Sequence, residues 1–187
     1  KLNYLLPKIF ANYCKKNNKY LIHISTIAVH GSKILCGQRT KINPKNIYGI
    51  SKARGDINII KSQCNYTIIR FPGIFGRDGP DHLYINKLIK MKNIREITLN
   101  NSGNQKRNYI FVKDAAKVIL KSLNKKNKII YIGGQVLSFK KMLNIIKIKS
   151  LIKKITYKNK LTRDELIKSN YKFKFTSFKR AVRSIYK

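Results

Sequence analysis

Tyr20-Leu21-Ile22-His23-Ile24-Ser25-Thr26 is a short apolar run that ends in two hydroxyls. Its length and apolar content suit a strand of a parallel sheet buried on both faces. In open α/β sheets ligands bind beyond the carboxyl ends of the strands, so Ser25 and Thr26 stand where chemistry is expected. Before this run, Leu2, Leu5, Leu6, Ile9, Phe10 and Tyr13 recur at helical spacing, and residues 2–17 read as a helix closed by Lys15-Lys16-Asn17-Asn18. Pro7 fits that helix only in its first turn or at a kink. After the run, the segment from Val29 to Lys45 contains Gly31, Gly37 and Pro44 and reads as a loop. A helix from about Lys45 to Cys64 follows, with Ile47, Ile50, Ile57, Ile59 and Ile60 as packing candidates. Tyr66–Phe71 then forms a second β-rich strand, closed by Pro72-Gly73.

On the Lys45–Cys64 helix, Tyr48 and Lys52 are four residues apart and share a face, which lets an ammonium sit beside a phenol. A phenol titrates near ~10 when unperturbed, and a neighbouring cation favours its phenolate. Tyr4/Lys8 and Tyr109/Lys113 have the same spacing, so spacing alone does not single out the pair. Its surroundings do: a strand delivering Ser25-Thr26 precedes it, and Arg70-Phe71-Pro72-Gly73-Ile74-Phe75-Gly76 follows it.

Beyond Gly76, Arg77-Asp78-Gly79-Pro80 reads as a turn and residues 82–92 as a short helix. Ile94–Leu99 and Tyr109–Val112 read as strands, and Lys113–Leu123 as a helix with Asp114 near its start, where a carboxylate favours the helix dipole. Ile129–Ile132 is a strand ending at Gly133-Gly134, and Ser138 caps a helix running to about Lys149. A strand at Lys154–Tyr157, a helix near Leu161–Ser169 and a last helix from Ser177 complete the chain.

At 187 residues, the sequence provides one domain, or one plus part of another. It begins at Lys1 without an initiator methionine, as a fragment would. No run approaches the ~20 apolar residues needed to span a bilayer, so no membrane association and a cytoplasmic location are expected. Cys14, Cys36 and Cys64 are odd in number and lack C-x-x-C spacing, which points to reduced thiols. His23, His30 and His82 lack ligand spacing, so no metal is expected. The net charge of +35 suggests a nucleic-acid partner. Against that, the lysines are spread through every segment among Asn, Ile and Tyr, all encoded by A+T-rich codons, and no RNP, zinc-finger or helix-turn-helix signature accompanies them. Either way the field attracts anionic ligands, nucleotides included.

Strand–Ser-Thr, then Tyr-x-x-x-Lys, then Arg-Phe-Pro-Gly-Ile-Phe-Gly, together with Asn104-Gln105-Lys106-Arg107-Asn108-Tyr109-Ile110-Phe111-Val112-Lys113-Asp114-Ala115-Ala116, resembles the extended short-chain dehydrogenase/reductases. The likeness is to their NAD-dependent sugar-nucleotide epimerase/dehydratase group. It implies an α/β fold: the C-terminal part of a Rossmann-type parallel-sheet domain plus a smaller α+β substrate-binding domain. Residues 1–76 would form the partial NAD-binding domain, and 77–187 mainly the substrate portion, with segments around 108–132 returning to the Rossmann sheet. By the same resemblance, Thr26 matches the catalytic Ser/Thr, which also meets the substrate. Tyr48 matches the acid/base, and Lys52 the residue that lowers the tyrosine pKa and holds the nicotinamide ribose. Ser25, Pro72, Gly73 and Ile74 line the cofactor, and Arg107 contacts the substrate diphosphate. A planar guanidinium suits that task because it grips phosphate oxygens bidentately. The cofactor implied is NAD, with NADP left open, and the substrate a nucleotide-sugar. Relatives dimerise through the Tyr-bearing helix, so a homodimer through helix 45–64 is implied.

Departures from the family pattern matter as well. No G-x-G-x-x-G occurs, and the one G-x-x-G-x-x-G, Gly73–Gly79, follows the Pro72 break late in the motif order and not an N-terminal strand. The resemblance therefore implies a chain lacking the N-terminal dinucleotide loop and binding NAD poorly alone. Members that dehydrate place an acid after the catalytic Thr, where this chain has Ile27-Ala28, so epimerase or ketoreductase chemistry is favoured over 4,6-dehydration. Phe71 stands where galactose epimerases commonly have Asn, and His30 where the family usually has Tyr, which leaves the sugar open. The competing readings are a catalytically dead basic module that binds nucleic acid, or a nonfunctional gene fragment.

Overall fold

The computed structural model describes residues 2–31, 34–90, 96–123, 125–146, 154–158 and 163–186. In chain order, α1 (Leu5–Lys16) leads to β1 (Tyr20–Thr26), a 3-10 turn (Ile27–His30), β2 (Leu35–Cys36) and α2 (Ile47–Ser62). Then come β3 (Asn65–Phe71), β4 (Gly73–Phe75), α3 (Tyr84–Lys90), β5 (Glu96–Asn100), β6 (Lys106–Phe111) and α4 (Val112–Lys121). The remainder is β7 (Lys128–Tyr131), β8 (Gln135–Ser138), α5 (Phe139–Ile146), β9 (Lys154–Lys158), β10 (Leu166–Ile167) and α6 (Phe178–Tyr186). Pro7 lies in the first turn of α1, where its missing N–H costs no intrahelical bond.

The strand that opens the sequence argument forms a three-stranded sheet of order β1-β3-β7, parallel throughout. Its two faces are covered by different helices, as continuous apolar strands require. Ile68 points into a cluster with Ala11, Cys14 and Ile59 of α1 and α2, whereas its neighbour Ile69 packs with Ala115 and Val118 of α4. A second sheet, β4-β6-β8, carries a separate core of Phe75, Leu88, Phe111, Met142, Phe178 and Val182 under α3, α5 and α6. Only Pro72 separates β3 from β4, so the chain leaves one sheet and enters the other at the carboxyl end of β3.

Local expectation fails where distant partners decide. Residues 163–169 are extended, not helical, because Leu166 and Lys168 donate their N–H groups to Ile34 and Cys36 carbonyls at 2.9 and 2.7 Å, pairing β10 with β2. The first two residues of that expected helix, 161 and 162, lie outside the described residues, as do 94–95 of the expected Ile94–Leu99 strand and 147–149 of the expected Ser138–Lys149 helix. The Val29–Lys45 loop also contains β2, and β4 and β8 are strands too short to read from periodicity.

One buried ion pair fastens α2 to the sheet. Asp56 is fully buried, and its Oδ2 accepts from Arg70 Nε and Nη2 of β3 at 3.1 and 2.9 Å and from Ser25 Oγ of β1 at 3.0 Å. Arg70 also reaches the Tyr131 hydroxyl of β7, which bonds His30 Nε2 at 3.0 Å. Removing one partner of a buried pair strands the other charge. Asp56→Asn is therefore expected to lower unfolding free energy by about 3–5 kcal/mol in urea titration; a change below about 1 kcal/mol would show that the pair does not fasten the helix.

Candidate active site

The start of α2 is built to bring its first turns against the end of β1. Asn46 caps the helix by accepting from the Gly49 N–H at 2.7 Å. A Cβ at position 49 would lie 2.6 Å from the Ala28 carbonyl oxygen, so glycine is what lets the helix abut the turn that follows Thr26. Tyr48, Lys52 and Asp56 then follow at intervals of four residues along the helix. Asp56 is anchored beneath the sheet while the other two reach a cavity.

That cavity has a volume of about 1350 Å³. Ser25, Thr26, Tyr48 and Lys52 line it, as do Pro72, Gly73 and Ile74 from the β3–β4 junction. The structure thus gathers seven of the eight residues singled out from sequence. Arg107 is apart from them: it lines a smaller neighbouring cavity of about 100 Å³, which shares Ile27, Gly73 and Leu83 with the large one. Sequence reasoning missed Arg77, Asp78, His82, Lys113 and Ile185, which also line the large cavity. Arg77 is held by the Ile185 carbonyl of α6, a contact between segments 108 residues apart that no local pattern signals.

Electrostatics at the wall are governed by burial. Desolvation pushes the Tyr48 phenol above its ordinary value, and hydrogen bonding with the Thr26 side chain draws it partly back. Burial pulls the Lys52 ammonium below its ordinary value, and the Asp56 carboxylate opposes that. Lys52 Nζ donates to the Ile24 carbonyl at 2.6 Å, which fixes the ammonium at the end of β1. Beneath it, His23 Nε2 lies 3.5 Å from Asp56 Oδ1. Burial, followed by repulsion from Lys52, lowers His23 to about 4 against the attraction of Asp56. A neutral phenol and an ammonium held at a strand end are a set suited to moving one proton to or from a hydroxyl bound between Thr26 and Tyr48.

The sequence model of the NAD dependent epimerase/dehydratase family matches residues 1–133. The chain belongs to this family. A relative from Methanocaldococcus jannaschii named "Putative UDP-glucose 4-epimerase" is 33% identical over 118 residues, and the match takes in 57% of this chain and 38% of that protein. The chain thus spans well under two thirds of the length of the curated relative it matches. Among solved structures, UDP-glucuronic acid 4-epimerase from Bacillus cereus in complex with NAD superposes with a TM-score of 0.83 at 19% identity, covering 98% of this chain and 66% of that one. dTDP-glucose 4,6-dehydratase from Bacillus anthracis in complex with NAD gives 0.80 at 18% identity, with 98% and 66% covered. These likenesses confirm the α/β, Rossmann-like fold. Within the epimerase/dehydratase family frame, the donors present suit the nicotinamide-ribose end of the cofactor. Lys52 and the Pro72–Ile74 backbone border one roomy cavity, whereas the one stretch with G-x-x-G-x-x-G spacing, Gly73–Gly79, begins in β4 and does not open a helix as a diphosphate loop does.

The depressed His23 value carries a pH signature. The unfolded chain takes up this proton near 6.5 and the folded chain only near about 4, so the contribution of the neutral imidazole is complete above pH 6.5 and lost as pH falls toward 4. NMR titration of the His23 ring is expected to give a midpoint near 4, and His23→Gln to flatten the fall in stability across that window. A midpoint at the ordinary value would contradict the burial described.

Proposed function

We propose that this chain carries the proton-transfer and substrate-binding half of an NAD-dependent enzyme that epimerises a nucleoside-diphosphate sugar. The observation that carries this reading is the convergence of Thr26, Tyr48 and Lys52 on one cavity at the carboxyl end of β1. Tyr48 takes the proton of a sugar carbinol. Thr26 hydrogen-bonds the reacting oxygen and draws the Tyr48 phenol back against burial, whereas Lys52, expected from the sequence to lower that phenol, is turned to the Ile24 carbonyl and does not set its shift. NAD, when bound, would supply the hydride chemistry. Tyr48, Lys52, Ser25 and the Pro72–Ile74 backbone would hold its nicotinamide end, and Arg107 would meet the substrate diphosphate. On this reading residues 1–76 form mainly the cofactor side and 77–187 mainly the substrate side; of the segments around 108–132 expected to return to the first sheet, β7 does so, whereas β6 pairs with β4 and β8.

Ketoreduction uses the same residues and is the second reading; 4,6-dehydration is disfavoured on a specific ground. Elimination of water needs an additional acid and base at the ring. Ile27 occupies the position after Thr26, and Asp78 is the one carboxylate among the described residues lining the cavity. Tyr48→Phe, introduced into the complete enzyme of which this chain is proposed to be half, is expected to cut turnover by at least about 100-fold while leaving NAD affinity nearly unchanged. Turnover equal to that of the parent enzyme would remove Tyr48 from the mechanism.

Self-association through α1 and α2 belongs to the same proposal. Leu2, Ile9, Phe10, Tyr13 and Ile47 are between 50 and 86% exposed along this helix pair, an apolar surface that a second copy could cover. Among the described residues, no helix is long and apolar enough to cross a membrane. Sedimentation velocity is expected to show a dimer that Phe10→Lys with Ile47→Lys converts to monomer; a parent chain that sediments as a monomer at all concentrations would end the idea.

A further inference from the structure

The chain has only seven acidic residues against 42 basic ones, so where each acid sits carries information. Glu165 sits beside Arg107. Arg107 Nη2 and Glu165 Oε1 are 3.4 Å apart, with the two side chains 43 and 35% exposed. Good charge-assisted contacts are shorter, at about 2.7–2.9 Å, and exposed pairs of this kind are weak. The Nε of the same guanidinium is buried without a hydrogen-bond partner. The fork of donors is thus engaged at one point by a long contact and left unsatisfied at another.

The carboxylate, by contrast, is held firmly through its backbone. The Glu165 N–H donates to the Lys106 carbonyl at 3.0 Å, and the adjacent Asp164 Oδ1 accepts from the Lys106 N–H at 2.8 Å. Both Arg107 and Glu165 line the small cavity that opens beside Ile27, Gly73 and Leu83 of the main one. A diphosphate brings more charge than a carboxylate and can satisfy two guanidinium donors at once.

We propose that Glu165 is a latch that holds Arg107 until a nucleoside diphosphate displaces it. This rests on the reading of Arg107 as the diphosphate ligand. The latch competes with substrate and with any nucleotide left behind, weakening both, because only the fraction of molecules with Arg107 released is ready to bind. It also keeps a single negative charge facing the guanidinium in a chain whose overall field draws in every polyanion.

Calorimetric titration of UDP and, separately, uridine into the full chain tests it. Glu165→Gln is expected to bind UDP about three- to ten-fold tighter with uridine affinity unchanged, and Arg107→Gln to lose most of the UDP affinity. Glu165→Ala, checked with Glu165→Gln for an unaltered unfolding midpoint, should give the same gain. UDP affinity equal to or below that of the parent overturns the latch, and a tightening shared by uridine does so too. If neither the parent nor any variant binds UDP, the diphosphate-sugar reading itself falls and the latch falls with it.

Discussion

The Asp56 carboxylate is the constraint on which the rest of the arrangement depends. It is fully buried and holds together three elements: α2, which bears it, β3 through Arg70, and β1 through Ser25. An isolated carboxylate could not be placed there, because burying a charge without a partner is prohibitively costly. Two donors of Arg70 and the Ser25 hydroxyl, all on Oδ2, make it tolerable and tie α2 to the strand ends. Tyr48 and Lys52, two turns and one turn before Asp56 on the same helix face, inherit that placement. The Tyr131 hydroxyl and His30 extend the network to β7 and to the loop after Thr26. The order of the sheet and the position of the Tyr48–Lys52 pair therefore share a physical cause.

The chain's charge has a related logic. Although bases outnumber acids so heavily, the acids are not dispersed as surface solubilisers. Asp114 accepts from the Thr176 N–H and hydroxyl, tying the segment before α6 to α4, and Asp164 receives the Lys106 N–H. Asp81 pairs with Lys90 and Glu96 with Lys154 across neighbouring elements. Asp114 and Asp164 thus hold tertiary junctions, whereas the Asp81 and Glu96 pairs are exposed and weak, and Asp78 lines the cavity. The lysines carry the general field, and the few carboxylates carry the specific contacts.

Much of the fold was legible because its signals are local. β1 and β3 are continuous apolar runs, α2 has its cap, and Ser138 caps its helix through the Lys141 N–H as its position suggests. Of the isoleucines expected to pack α2, however, only Ile59 is buried: Ile47, Ile50, Ile57 and Ile60 are exposed. The helix packs through Gly49, Ala53, Gly55 and Asp56, because these small residues and the Asp56 ion pair let it approach the sheet closely. What was not legible depended on partners far along the chain. β10 is extended because it pairs with β2, about 130 residues earlier, and a strand of two residues has no period to read. Asp56 continued the spacing of Tyr48 and Lys52 and so could have been found, but its charge argued for the surface until Arg70 was seen beside it. Glu165 carried no signal, since its neighbour Arg107 is on another strand.

The sequence by itself determined the residue chemistry and its order: hydroxyls at a strand end, a tyrosine and lysine one helical turn apart, then a Pro-Gly break. It could do so because those relations span a few bonds and repeat with the period of the backbone. Only the tertiary structure decided that Tyr48 and Lys52 line one cavity together while Tyr109 and Lys113 line different ones, that Lys52 rests on the Ile24 carbonyl, and that Arg107 meets a carboxylate from the far end of the chain. Those outcomes turn on burial and on contacts between distant segments, where desolvation sets which groups are charged and packing sets which groups meet.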